Sequence, residues 1–357
     1  MRVTHSAMRS LAAGALALAL AACGKDSSGP SEFNPAGTSA DMTAAEDAFA
    51  SSQLSSFAAV GADISAAMGG SAAVKASALA VRGAPRGAAA AAHYARQLAA
   101  LVPHRGALQA MTSGIPADIA GTTFAWDVES DGYVASDRTG APGDGVRFLL
   151  YAIDPVTFRP AEPLVEVGYV DLLDRSTASA LDVQVKVVDG GTVYLQYTVT
   201  AQATATGGVI DLKGYASNGS TLASFDLKSS VTDNNGSPVI ALDYHLGVPS
   251  RHLSLDWSAT LSNVSDTEVV ITVDFAVSGP NGDVRLVGTV GADGGTLTVK
   301  VNGSMFATMA VTPGSDPVIT GADGGPLTAD EQQSLESIFA FYEGSDFVFS
   351  GLLVPVG

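Results

Sequence analysis

The chain has 357 residues, enough for one large or two medium domains with a real core. Its 36 acidic side chains against 18 basic ones give a formal charge of −18, which argues against nucleic acid as a partner. Cys23 is the only cysteine, so an intrachain disulfide and a thiolate metal cluster are both excluded.

Arg2 and Arg9 precede an unbroken small and apolar run from Leu11 to Ala22, which is too short to span a bilayer as a permanent helix. The run ends in Leu20-Ala21-Ala22-Cys23. That tetrad resembles the lipobox of bacterial lipoproteins: an apolar residue, two small residues that let a peptidase thread the backbone, and a sulfur nucleophile that takes the lipid. The resemblance implies cleavage before Cys23, a diacylglyceryl thioether and N-acyl lipid on that residue, and anchoring to a membrane. Gly24, where Asp would commonly signal inner-membrane retention, implies the outer membrane, on its periplasmic or surface face. Without an Arg-Arg pair the general secretory route is expected. Several acyl chains anchor stably, at about 0.8 kcal/mol per buried methylene. Removing residues 1–22 takes Arg2 and Arg9 with it, so the net charge moves from −18 to −20.

Residues 23–42, with Ser27-Ser28-Gly29-Pro30 and Asn34-Pro35, read as the lipidated cysteine and a flexible tether. Residues 43–116 read as an Ala-rich helical segment. Within it, Thr43 and Glu46 suggest a capping box, and Phe49, Phe57, Val60, Ile64 and Met68 follow at helical spacing until Gly69-Gly70. A second helix is expected over 87–101 with a stop at Pro103. Lys75, Arg82, Arg86, Arg96 and Arg105 give this stretch a local positive charge, read as a solvated connector with a few solubilising side chains.

From Thr122 onward the apolar period becomes two, and residues 117–357 read as one antiparallel β domain. Leu181, Val183, Val185 and Val187 are expected to face Val193, Leu195, Tyr197 and Val199 across a loop at Asp189-Gly190-Gly191. A type I′ turn at Asn218-Gly219 would pair Ile210 with Leu227, Leu212 with Phe225 and Asp211 with Asp226. A loop at Gly247-Val248-Pro249-Ser250 would pair Ile240 with Trp257, Leu242 with Leu255, Tyr244 with Leu253 and His245 with His252. Further strands are expected over 269–277, 284–290, 297–301 and 305–311. A short helix over 328–342 opens on Thr328 with Glu331 as its capping partner and turns Leu335, Ile338, Phe339 and Tyr342 inward, before a last strand near 347–354.

Such a meander with one apolar face must curl, close or be covered by helices. The expected fold is therefore mainly β, a long antiparallel meander curved into a half-barrel or barrel, with an N-terminal helical segment and a short C-terminal helix. In outline this resembles the half-barrel of periplasmic lipoprotein carriers and related lipid-binding lipoproteins, which implies an apolar cavity between sheet and helices.

Chemistry is sparse. There is no His-Glu-x-x-His, no Gly-x-Ser-x-Gly elbow and no phosphate-binding glycine loop. Two copies of Gly-Ala-Asp-Gly-Gly, at 291–295 and 321–325, and Asp233-Asn234-Asn235-Gly236 lack calcium-loop spacing and read as turns. Asp211 and Asp226, with Lys213 and Lys228 diagonal to them, read as a solvated charge ladder. The sharpest candidate is a metal pair: His245 opposite His252, with Asp243 or Asp256 adding a carboxylate from the same face. The plainer reading is an exposed pair that titrates near neutrality.

The expected function is a non-enzymatic envelope lipoprotein, without a cofactor beyond its own lipid, that binds an apolar ligand or a partner protein. A structural or adhesive component without a pocket is the alternative, and an enzyme of unstated class the third reading. A membrane-embedded barrel is disfavoured by the lipid anchor, the charge and only 7% aromatic residues to build two girdles. A leaderless chain carrying Cys23→Ser is expected to purify as a folded monomer without detergent, and a need for detergent would restore the embedded barrel.

Overall fold

The computed structural model describes residues 33–68, 74–76, 115–177, 179–234, 237–262, 270–291, 293–312, 318–338 and 353–355. The expected lipobox, the helix over 87–101, Phe339 and Tyr342 lie outside these residues, as does most of the strand expected over 347–354.

Helix α1 runs Pro35–Asp47 and α2 runs Ser52–Ala67. The first begins eight residues before Thr43, inside the segment read as tether, because Asn34 caps it. The Asn34 side chain accepts from the Gly37 N–H at 3.1 Å and Pro35 occupies the first turn, where a missing N–H costs nothing. The Thr43–Glu46 capping box does not form, since Thr43 sits mid-helix and its hydroxyl donates to the Ser39 carbonyl. The single helix expected through Met68 is instead broken after Asp47, and Ser51 caps its second half by accepting from the Leu54 N–H. Phe57, Val60, Ile64 and Met68 are buried as their spacing requires.

Fifteen strands form one open sheet: β2 (Thr123–Asp127), β3 (Gly132–Ala135), β4 (Gly145–Tyr151), β5 (Glu166–Asp174), β6 (Leu181–Asp189), β7 (Thr192–Ala203), β8 (Gly207–Ser217), β9 (Leu222–Asn234), β10 (Ser237–Val248), β11 (Leu253–Ser262), β12 (Val270–Ser278), β13 (Val284–Gly291), β14 (Gly294–Val301), β15 (Ser304–Val311) and β16 (Val318–Gly321). From β4 to β16 each strand lies antiparallel to the next. At the other edge β2 lies parallel to β4 and carries β3 on its outside. A separate two-stranded pair joins β1 (Val74–Ala76) to β17 (Leu353–Pro355). A third helix, α3, covers 329–338, and its capping box forms as expected, with the Glu331 carboxylate accepting from the Thr328 N–H at 2.8 Å. This is the curved, mainly β meander with helices at its ends. Among the described residues no helix is long and apolar enough to cross a membrane.

The β6–β7 hairpin keeps its expected face, but the three-residue loop expected at Asp189-Gly190-Gly191 does not form, since Asp189 pairs with Thr192 and a bulge at Val187 and Val188 sets Val185 opposite Tyr197 and Val183 opposite Val199. Its loop is the two residues Gly190 and Gly191, at φ 55° and 86°, which only glycine adopts freely. Two other hairpins keep their expected faces but not their registers. In β8–β9, Asn218 opens a four-residue loop, its carboxamide oxygen accepting from the Ser220 and Thr221 N–H groups at 2.9 Å. Leu212 therefore faces Leu227, not Phe225. In β10–β11, Pro249 starts a 3-10 turn and His252 closes it at φ 51°, so Val248 and Leu253 are the last pair before the loop. Tyr244 consequently faces Trp257 and Ile240 faces Leu261.

One contiguous apolar cluster joins Met42 and Ala45 of α1, Phe57 and Ile64 of α2, and Leu335 and Ile338 of α3 to strands from β2 to β15. Helix α1 is fixed at both ends. The Asn34 N–H donates to the Asn281 carbonyl at 2.9 Å, and the Asn218 side chain donates to the Asp47 carbonyl at 2.8 Å. Thirteen residues of helix rise about 20 Å, and the β8–β9 and β12–β13 turns stand four strand spacings apart, about 19 Å. The match lays α1 across the strand ends.

Asn281 is the hub of that contact. Its amide donates to the buried Asp41 carboxylate at 2.6 Å and its oxygen accepts from Asn34 at 3.0 Å. A Cβ on Gly37 would overlap the Asn281 carboxamide. Asn281→Ala strands a buried carboxylate and is expected to lower unfolding free energy in urea by about 1–3 kcal/mol. Gly37→Ala should cost about 1–3 kcal/mol through overpacking. Unchanged midpoints for both would show that this junction adds no stability.

Candidate functional site

The alternation that buries Leu242, Leu246 and Leu255 turns the intervening side chains to the opposite face of the sheet. Across β8 to β14 these form two transverse rows set by the register. One row reads Lys213, Asp226, His245, Asp256, Ala276, Arg285 and Lys300. The row beside it reads Asp211, Lys228, Asp243, Ser258 and Asp274. Together they line an open groove of about 1080 Å³.

Acids and bases stand side by side in these rows, and three such pairs are in contact. Lys213 Nζ lies 3.0 Å from Asp226 Oδ2, and His245 Nδ1 lies 2.7 Å from Asp256 Oδ1. Arg285 grips Asp274 with two parallel hydrogen bonds, Nε to Oδ1 at 2.8 Å and Nη2 to Oδ2. Those bonds hold the Asp274 carboxyl below the usual carboxylate range, and the same pair raises Arg285. The hydrogen bond and charge of Asp226 raise Lys213. Further along the same sheet, Arg147 binds Asp171 at 2.7 and 2.8 Å and stacks over the Tyr169 ring at 3.7 Å.

The opposed imidazoles expected at His245 and His252 are not formed. Moving the turn to Pro249–His252 puts His252 in the loop and sets His245 between Asp226 and Asp256. Asp243 faces Lys228 and Ser258 instead of adding a carboxylate to a histidine pair. Among the described residues no group of three or more His, Cys, Asp and Glu side chains stands close enough to hold a metal ion. The Asp211–Asp226 pairing is corrected in the same way, since Asp211 faces Lys228 and Asp226 faces Lys213. The charge ladder itself is present, with direct pairs in place of diagonal ones.

Sequence reasoning missed Asp274, Arg285 and Lys300 as members of this face. Each occupies a polar position in an alternating strand, and that was the available signal. Placing all three beside His245 requires four registers in succession. The two Gly-Ala-Asp-Gly-Gly copies serve as turns, with Asp323 accepting from the Gly325 N–H at 2.8 Å.

Three of the five acids in these rows, Asp226, Asp256 and Asp274, contact a base, and all three pairs are exposed to water. No protein-family model, no curated protein and no solved structure matches this chain.

The Asp274–Arg285 pair gives a direct test. A carboxylate with a depressed folded pKa adds stability that is present above its unfolded pKa and lost as pH falls through the folded one. Arg285→Gln is expected to move Asp274 up toward the ordinary range, so that the variant is less stable at neutral pH and its stability falls less steeply as pH drops through the carboxylate range. Carboxyl-carbon NMR titration reads the shift, and an unmoved Asp274 would mean that the pair does not persist in solution.

Proposed function

We propose that the chain is a non-enzymatic envelope lipoprotein, anchored through lipid on Cys23 in the outer membrane, that binds a partner protein on the charged face of its sheet. The observation that carries this reading is the groove across β8 to β14, where acids and bases alternate in register from β8 to β10 and Asp256, Asp274, Arg285 and Lys300 extend the charged face to β14. An apolar ligand is less well supported, because α1, α2 and α3 pack against the apolar face in one contiguous cluster. The open sheet also favours a domain held outside the bilayer core, since among the described residues β3 and β16 are unpaired edges and hydrocarbon leaves backbone groups nowhere to bond.

Charge complementarity of this kind gives steering and register more than raw affinity, so the interaction is expected to weaken with salt. A photoreactive residue in place of Ser258, at the centre of the groove, is expected to give a discrete protein adduct in intact envelopes. Charge reversals Lys228→Glu and Arg285→Glu should abolish it, and the same probe in place of Gln202 on β7 should give none. Equal adducts at both positions, or none at Ser258, would overturn the partner reading in favour of a purely structural component. Mass spectrometry showing a stoichiometric lipid bound to the purified domain would overturn it in favour of the apolar ligand.

A further inference from the structure

Eight large apolar side chains stay exposed among the described residues. Six of them sit at the same end of the sheet. Val128 lies in the β2–β3 turn, Val156, Phe158 and Val165 in the β4–β5 connection, Leu222 at the β8–β9 turn and Met305 at the β14–β15 turn. Val134 lies within β3, and Val318 alone lies at the opposite end. Isolated exposed apolar residues are ordinary on any protein surface, so what calls for an explanation is their concentration at one end.

The chain enters the domain at this end too. Phe33 packs on Phe306 at 5.7 Å, and Asn34 bonds Asn281 in the β12–β13 turn. Ten residues separate Phe33 from Cys23, a contour of at most about 35 Å. The far ends of twelve-residue strands such as β10 lie about 40 Å further on. An anchor at Cys23 therefore lets the turn end reach the membrane, while the other end, with the strands upright, lies beyond the tether's reach.

The most exposed of these side chains, Val156, and its neighbour Phe158 are presented by a loop tied down by hydrogen bonds and ion pairs. The Asp154 carboxylate accepts from the Val156 and Thr157 N–H groups at 2.7 and 3.0 Å, and these bonds keep it ionised by lowering its pKa. Arg159 ties the loop to Asp63 of α2 at 2.9 Å and to Asp131 of the β2–β3 turn at 3.5 Å. Val156 is 82% exposed and Phe158 51%, the latter at φ 58°, a left-handed conformation that bulky residues rarely adopt.

We propose that this turn end rests on the lipid surface, with the tip of the β4–β5 loop, Val156 and Phe158, at the boundary of headgroups and acyl chains. The inference rests on the lipid-anchor reading of Cys23. A preorganised apolar tip adds a second membrane contact to the anchor and fixes which way the charged groove faces. Turns at this end carry Glu129, Asp131, Asp154, Asp189 and Asp283 against Arg159 and Arg251, so the contact favours zwitterionic over anionic headgroups.

The test uses the full acylated chain in vesicles of phosphatidylcholine, with an environment-sensitive fluorophore on Val156→Cys or, at the opposite end, on Val318→Cys. Acylation leaves no free thiol at Cys23. The expected result is a blue shift at 156, none at 318, and a smaller shift at 156 when phosphatidylglycerol is added. A probe on Val128→Cys should lose its own shift in the Phe158→Asn background, because Asn tolerates the left-handed backbone and keeps the fold while removing the ring. Equal emission at 156 and 318 in protein whose Cys23 carries acyl chains by mass spectrometry overturns the loop contact alone. An unmodified Cys23 in protein recovered from envelopes overturns the anchor and the contact together.

Discussion

One face of a sheet that never closes must be kept from water, and the rest of the molecule follows from that requirement. A closed barrel covers its apolar face with its own far wall, but here β3 and β16 remain edges. The cover comes from helices. Helix α2 packs beside β3 to β7 and bonds through Ser56 to the Tyr151 N–H, while α1 spans the turns from β8–β9 to β12–β13. Helix α3 brings Leu335 and Ile338 into the same cluster. Because the hydrophobic effect carries no direction, the polar bonds at the helix ends are what select this placement among the many that would bury as much area. The Asn34, Asn281 and Asp41 junction is the clearest of them, since it joins the residue that starts α1 to a turn almost 250 positions later.

Face assignment survives errors that register does not. In β8–β9 and β10–β11 the true pairings differ from the expected ones by an even number of residues, so Ile210, Leu212, Leu242 and Leu255 are buried as predicted. The displacement comes from turn chemistry. Asn218-Gly219 has the composition of a two-residue turn, yet Asn218 instead caps a four-residue loop with its own side chain. Pro249 lacks an N–H and has a fixed φ, so it begins the next loop where the sequence reading had placed it third. Those shifts leave the core unchanged and dissolve the His245–His252 pair, because a site on the polar face depends on which residue is opposite, while the core depends only on which side a residue points.

The helices show the same division. The buried stripe Phe57, Val60, Ile64 and Met68 was legible from spacing alone. The break between α1 and α2 was not, since Phe49 continues the apolar spacing across it. It depends on Ser51, an N-cap that competes with helix continuation only when the tertiary structure lets the chain turn there. The Glu331 capping box was read correctly because both of its partners lie within four residues, where context has little to override.

The two faces of the sheet separate stability from the recognition proposed above. On the apolar side, close packing ties every substitution to its neighbours and leaves little room for variation. On the polar side, pairs such as Lys213–Asp226 and His245–Asp256 are solvent-exposed and contribute little to folding, so the residues there are free to be chosen for what they meet. On the partner reading proposed above, the three paired contacts Lys213–Asp226, His245–Asp256 and Arg285–Asp274 also limit promiscuity. A partner must replace protein–protein ion pairs with its own, which penalises any surface whose charges are out of step with the strand spacing of about 4.8 Å. The same β geometry that buries the core thereby sets the period that a bound surface has to match.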